Sequence, residues 1–284
     1  MRNTALILVC MALFFLATGC NEHSEKKAGP AANDSTDISL FDSIGYESCY
    51  EDFFKGIARF KDSNSAYLLL DDGKRVSLPQ FFKDEFMSTV SYYGKKDIDG
   101  DGTAELIIFN YTGGAHCCDE YYFFKQKNEE EFEYKAHITG GQACIAANSN
   151  RISYSLNELL GYFFSCYACE FTDSSGNFKS MRDIHLKYVD SALEIIPYDN
   201  VAEQQNLANL ESLTKHGYEK VEDLMDNGWR KEFAMNFAVW YYNHHKNWES
   251  TKDLFNKYYK FPDSARVWKE FYRTLREAEK ENSF

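Results

Sequence analysis

The sequence predicts an α+β protein: an antiparallel, β-rich N-terminal domain over residues 40–198, then a small C-terminal helical bundle over 199–284. Two observations predict it. Between residues 40 and 198, short apolar and aromatic runs alternate with Asp/Gly turns, which is how strands joined by tight connections read. From about residue 199 the β-branched residues thin out, Pro262 is the only proline, and apolar residues recur at helical spacing. A chain of 284 residues with 44% hydrophobic residues, including 23 Phe and 20 Tyr, can bury a sizeable core.

In order along the chain, short helices are predicted at about 48–60 and 79–87. Tyr67-Leu68-Leu69-Leu70, the turn Asp71-Asp72-Gly73-Lys74 and Arg75-Val76-Ser77-Leu78 read as a hairpin. Further strands are predicted at Leu106–Phe109, Tyr121–Phe124, Phe132–Tyr134 and Ile184–Val189. In the helical part, Val221, Leu224 and Met225 mark a helix that Gly228 would stop. A second helix is predicted over 229–247. A third would open at a capping box formed by Ser250 and Asp253. Pro262-Asp263-Ser264 would open the last, which carries Val267, Trp268, Phe271, Tyr272 and Leu275. The aromatics Trp240, Tyr241 and Tyr242 read as bundle core rather than as a ligand-stacking face.

The formal charge of -13 disfavours nucleic acid and anionic lipid surfaces as partners and suits cations, basic proteins or neutral ligands. The N-terminus reads as a signal peptide over residues 1–19: Arg2, then a continuous apolar run from Ala5 to Ala17, shorter than the roughly 20 residues a spanning helix needs. The run ends Leu16-Ala17-Thr18-Gly19-Cys20, which resembles the lipobox of bacterial lipoproteins. The resemblance implies cleavage before Cys20 and acylation of that cysteine, so that lipid alone supplies the membrane contact. Residues 20–39 are polar and aperiodic, a flexible tether. Asn21 is not the aspartate that favours inner-membrane retention in enteric bacteria, so the resemblance points to the outer membrane, with the periplasmic or surface face left open.

The most specific internal motif is Asp97-Ile98-Asp99-Gly100-Asp101-Gly102-Thr103-Ala104-Glu105. Carboxylates at alternate positions can converge on one centre, and the two glycines permit the tight backbone this needs. Calcium accepts 6–8 oxygens in irregular geometry, whereas magnesium demands a stricter octahedron. Asp97, Asp99, Asp101 and Glu105 are candidate carboxylate ligands, with the Thr103 carbonyl as a fifth oxygen. Without a cation, each carboxylate pair at about 4 Å costs on the order of 1–4 kcal/mol. The loop is not an EF-hand, because the twelfth position holds Ile108 instead of the bidentate Glu. Over residues 97–109 it resembles the loops of FG-GAP and VCBS-type β repeats, which implies a structural calcium ion ahead of a buried strand. The longer string from Asp97 to Gly113-Gly114-Ala115-His116-Cys117-Cys118 resembles a pattern in uncharacterised bacterial envelope proteins.

Besides Cys10 and Cys20, six cysteines remain: Cys49, Cys117, Cys118, Cys144, Cys166 and Cys169, all candidates for disulfides in an oxidising compartment. Thr112-Gly113-Gly114 before Cys117 echoes Thr139-Gly140-Gly141 before Cys144, which favours a Cys117–Cys144 bridge. Cys118 would face away from Cys117, with Cys166 or Cys169 as partner of one of the two. Two other readings stand: zinc held by His116, Cys117, Cys118, Cys166 and Cys169, and a redox pair at Cys166-Tyr167-Ala168-Cys169. No phosphate-binding glycine loop, nucleophile elbow or His-Glu-x-x-His occurs. The sequence therefore favours a non-catalytic envelope lipoprotein that binds a protein or glycan partner or maintains the envelope. A periplasmic hydrolase using unidentified carboxylates is the alternative, as is thiol chemistry at Cys166/Cys169.

Overall fold

The hairpin around Asp71-Asp72-Gly73-Lys74 forms as its turn residues dictate. Tyr67–Leu70 (β2) pairs antiparallel with Arg75–Ser77 (β3), and Leu68 stands opposite Val76. The computed structural model describes residues 53–61, 66–78, 90–111, 119–128, 131–139, 143–145, 150–172, 181–218, 220 and 225–284. All of them belong to one unit, Ser43–Phe284. The leader, Cys20, the tether, Cys49, the expected helix at 79–87 and the segment carrying His116, Cys117 and Cys118 lie outside the described residues.

The expected helix at 48–60 is corrected where it is described: Gly56–Lys61 is a strand, β1. Ala58 pairs with Leu70 on one side and with Ser91 of Val90–Lys96 (β4) on the other, so ladder bonds to two neighbours hold this segment extended. The sheet continues with Glu105–Tyr111 (β5), Asp119–Gln126 (β6) and Phe132–Thr139 (β7). Its order is β3-β2-β1-β4-β5-β6-β7, antiparallel throughout. It curls until β3 lies against β7. Leu106, Ile108, Tyr122 and Phe124 fill the inside of the curl with Leu68, Val76 and Phe132. Ile107, Tyr121 and Phe123 point the other way. Both faces of β5 and β6 are thus covered, which explains why they read as unbroken apolar runs.

A second antiparallel sheet of order β11-β10-β9-β8 contains Ala143–Ile145 (β8), Arg151–Ser155 (β9), Asp183–Val189 (β10) and Ala192–Ile196 (β11). A short helix, Leu156–Leu160 (α1), follows β9. The composition change near 199 falls where Asp199 caps Asn200–His216 (α2), accepting from the amides of Val201 and Ala202. Among the described residues no helix is long and apolar enough to cross a membrane.

Gly228 does not end a helix. Met225–Gly228 is non-helical, and Gly228 precedes Trp229–Asn243 (α3). Its φ is 104°, and a Cβ there would meet the Phe171 amide nitrogen at 2.9 Å. Asp226 is the functional cap of α3: its carboxylate accepts from Gly228 N at 2.8 Å and Arg230 N at 3.0 Å. The expected capping box is also displaced. Trp248–Tyr258 (α4) is capped by Asn247, which accepts from Ser250 N, so Ser250 lies inside the helix. Ser264–Glu281 (α5) opens where Pro262-Asp263-Ser264 predicts.

All of α3 except Trp240 and Asn243 is buried. Its Phe233 and Phe237 share one cluster with Ile107 and Phe123 of the first sheet, Ile184 and Leu186 of the second, Leu210 of α2, Phe255 of α4 and Phe271 of α5. Burying each such side chain contributes about 1.5–3 kcal/mol. Tyr241 and Tyr242 are core residues, as their spacing predicts. Arg230, 0% exposed, ties the helix starts together: Nη1 donates to Asp226 at 2.8 Å and Nε to Asp263 at 2.8 Å.

Candidate metal centre

The aspartate motif is the connection from β4 to β5. Asp97 closes the loop with both oxygens, accepting from Gly100 N at 2.8 Å and Gly102 N at 2.9 Å. Gly100 and Gly102 take φ of 77° and 88°, a region that strains residues with a Cβ. Asp99 accepts from Asp101 N at 3.2 Å, and Asp101 from Thr103 N at 2.8 Å, each turning the chain two residues on.

Glu105 opens β5 and is 0% exposed. Its Oε2 accepts from the Ile98 amide at 2.9 Å. Its Oε1 is buried and has no hydrogen-bond partner. Burial raises the Glu105 carboxyl above the usual carboxylate range, and the fields of Asp99 and Asp101 add to that. One oxygen each from Asp97, Asp99 and Glu105 lies within 4.8 Å of the others, so the three can share a metal ion. The Asp99 side chain is only 5% exposed, while Asp97 is exposed, so the group faces solvent from one side.

Asp101 stands outside this group of three. Its Oδ2 contacts Lys125 Nζ, which also lies 3.4 Å from Asp99 Oδ2. The hydrogen bond from Lys125 holds the Asp101 carboxyl below its ordinary value, and the same pairing raises the Lys125 ammonium. Thr103 donates its amide to Asp101. Sequence reasoning missed Lys125. No local signal marks it; the β5–β6 register, with Leu106 opposite Phe124, carries on to set Lys125 across from Glu105. Behind the loop, Tyr188 of β10 stacks on Phe123 with ring centroids 5.7 Å apart. Burial pushes its phenol up to about 12, with the carboxylates of Glu105 and Asp99 contributing.

One ammonium cannot balance four carboxylates, and it reaches only Asp99 and Asp101. A metal ion shared by Asp97, Asp99 and Glu105 would supply a further positive centre. A buried carboxylate oxygen without a donor is costly, and a divalent ion removes that cost along with the mutual repulsion of the acids.

Cys166 and Cys169 are bridged to each other, with Cα atoms 5.0 Å apart. This corrects the expectation that one of them pairs with Cys117 or Cys118, and it removes both from any zinc site. A bridge closes more readily across two intervening residues than across a long span of chain. Cys144 is also disulfide-bonded.

Compared with protein-family models, curated proteins and solved structures, the chain matches none.

Proposed function

We propose that this protein is a non-catalytic lipoprotein of the bacterial cell envelope, anchored through Cys20 and braced by a calcium ion at Asp97, Asp99 and Glu105. It serves as a binding or envelope-maintenance module. One observation carries the metal reading: the fully buried Glu105, whose Oε1 has no hydrogen-bond partner, offers a carboxylate oxygen within 4.8 Å of one oxygen each of Asp97 and Asp99. A spread of up to 4.8 Å is spanned by two calcium–oxygen bonds of about 2.4 Å. Irregular ligands from a loop suit calcium better than the octahedron magnesium requires. The likeness of residues 97–109 to FG-GAP and VCBS loops supports the same ion. The leader, the Leu16–Cys20 string and the polar tether support the anchor, and Asn21 supports the outer membrane.

Isothermal titration with calcium tests the metal reading. The wild type should bind one ion per chain, and Asp99→Ala should abolish the heat. Absence of binding by the wild type sinks the reading. Radiolabelled palmitate tests the anchor: label should enter the wild type and not Cys20→Ser, and an unlabelled wild type argues against lipidation.

A further inference from the structure

We propose that the Cys166–Cys169 disulfide is a thiol-exchange site, taking electrons from a dithiol while the protein stays folded. The pair lies beyond α1, where the chain has just bridged to Asp226 through Ser165. Cys166 is exposed and Cys169 half-buried, so Cys166 is the member of the pair more open to a thiolate from solvent. The bond joins residues only three apart and therefore removes little entropy from the unfolded chain. The segment is also held without it. Asp226 N donates to Phe164 O at 2.9 Å, Ser165 Oγ donates to Asp226 O at 3.2 Å, and Cys169 N donates to Cys166 O at 3.1 Å.

What sets this bridge apart is the buried cation that holds its backbone. Lys231 of α3 is 0% exposed, and its Nζ donates to the carbonyls of Cys166 at 3.4 Å and Tyr167 at 3.0 Å. The carboxylates whose fields favour the ammonium are shared with other cations: Arg182 donates to Glu170 at 2.8 Å and to Glu232 at 3.2 Å, and Arg230 donates to Asp226. Burial pushes the Lys231 ammonium below its ordinary value. Its hydrogen bonds go to carbonyl oxygens, and those shared carboxylates act on it through space, so its charge is only partly compensated. Opening the disulfide adds an anion to the segment whose carbonyls Lys231 holds. Exposed Tyr162, its ring 5.6 Å from that of Tyr167, adds an aromatic rim at which a partner can rest.

The exchange balances as follows. A thiolate of the dithiol attacks Cys166 Sγ and forms a mixed disulfide. The Cys166–Cys169 bond breaks, and its electron pair leaves on Cys169 as a thiolate. The second thiol of the dithiol gives up its proton and attacks the mixed disulfide. Cys166 departs as a thiolate and takes a proton from solvent. The dithiol ends oxidised by two electrons, and the cysteine pair ends reduced by two.

The test uses the full-length protein in detergent, equilibrated with graded ratios of reduced to oxidised dithiothreitol and, separately, glutathione. Free thiols are tagged with a maleimide and located by peptide mass spectrometry, with circular dichroism recorded on the same samples. Cys166 and Cys169 should open together while the spectrum is unchanged and Cys144 stays bonded. Replacing the charge in Lys231→Met should require about tenfold more reductant, the usual effect of a close opposite charge on a thiolate, and Lys231→Arg should restore most of it. In Cys169→Ser, which does not depend on how Lys231 variants fold, Cys166 should take up glutathione. A pair that opens only when the fold is lost overturns the proposal. So does a folded Lys231→Met with the wild-type midpoint, or a Cys166 that stays unmodified in Cys169→Ser.

Discussion

Replacing Glu105 by Gln should change stability in opposite directions with and without calcium. The amide keeps the shape of the side chain, so the bond that Oε2 accepts from Ile98 N at 2.9 Å survives on the amide oxygen. The amide nitrogen then takes the place of the unpartnered Oε1, and the side chain loses the charge it brought to the aspartates. In chelator, the variant escapes repulsion between carboxylate oxygens up to 4.8 Å apart. Each such pair costs about 0.9 kcal/mol at the permittivity of water and about 3.5 kcal/mol at an effective value of 20. The loop is half open to solvent and Lys125 offsets part of the charge, so a net gain of about 1–2 kcal/mol is expected. For a domain of this size that raises Tm by about 2–8 °C. Calcium at 100 times its Kd should stabilise the wild type by about 2.7 kcal/mol, or about 5–11 °C, and the variant by far less. Scanning calorimetry of both proteins in chelator and in calcium should therefore show the two Tm values crossing over. If Glu105→Gln is the less stable protein in chelator, or gains as much from calcium as the wild type, the buried oxygen is not a ligand.

Arg230→Met leaves the buried Asp226 carboxylate without its guanidinium and should cost about 3–5 kcal/mol in urea unfolding; a loss under 1 kcal/mol would mean that the pair is dispensable. Gly228→Ala must hold φ near 104° with its Cβ 2.9 Å from Phe171 N, so it should lose at least about 2 kcal/mol; an unchanged unfolding midpoint refutes the strain. Burial lowers the His137 imidazole below its ordinary value, so the unfolded chain binds that proton first. Stability should accordingly fall as pH drops below about 6.5 towards the folded value. His137→Gln should flatten that limb of a Tm-against-pH curve, and an identical slope in both proteins would assign the limb to other groups.

The elements legible in the sequence are those whose cause is local. The β2–β3 turn, the strand that follows the aspartate loop and the opening of α5 all carry their signals within a few residues. β1 is not legible locally, because what makes Gly56–Lys61 a strand is its ladder to β2 and β4 on either side. Gly228 is a fair stop signal taken alone, yet here it serves the start of a helix, because the carboxylate of Asp226 does the capping from two residues upstream. The acids at 97, 99 and 105 were visible as a motif. Lys125 was not, because sheet register alone brings it to the loop. Nor could the sequence separate Asp101 from the other acids, since that distinction depends on which one the ammonium takes.

The depth at which α3 lies has a consequence for dissecting this molecule. Its side chains meet strands that precede residue 199 and helices that follow it, so neither half can shield its own oily surface once the other is removed. Severing the chain at the change of texture should yield two sticky fragments, not two modules. Limited proteolysis should leave the whole assembly intact until it gives way in a single step.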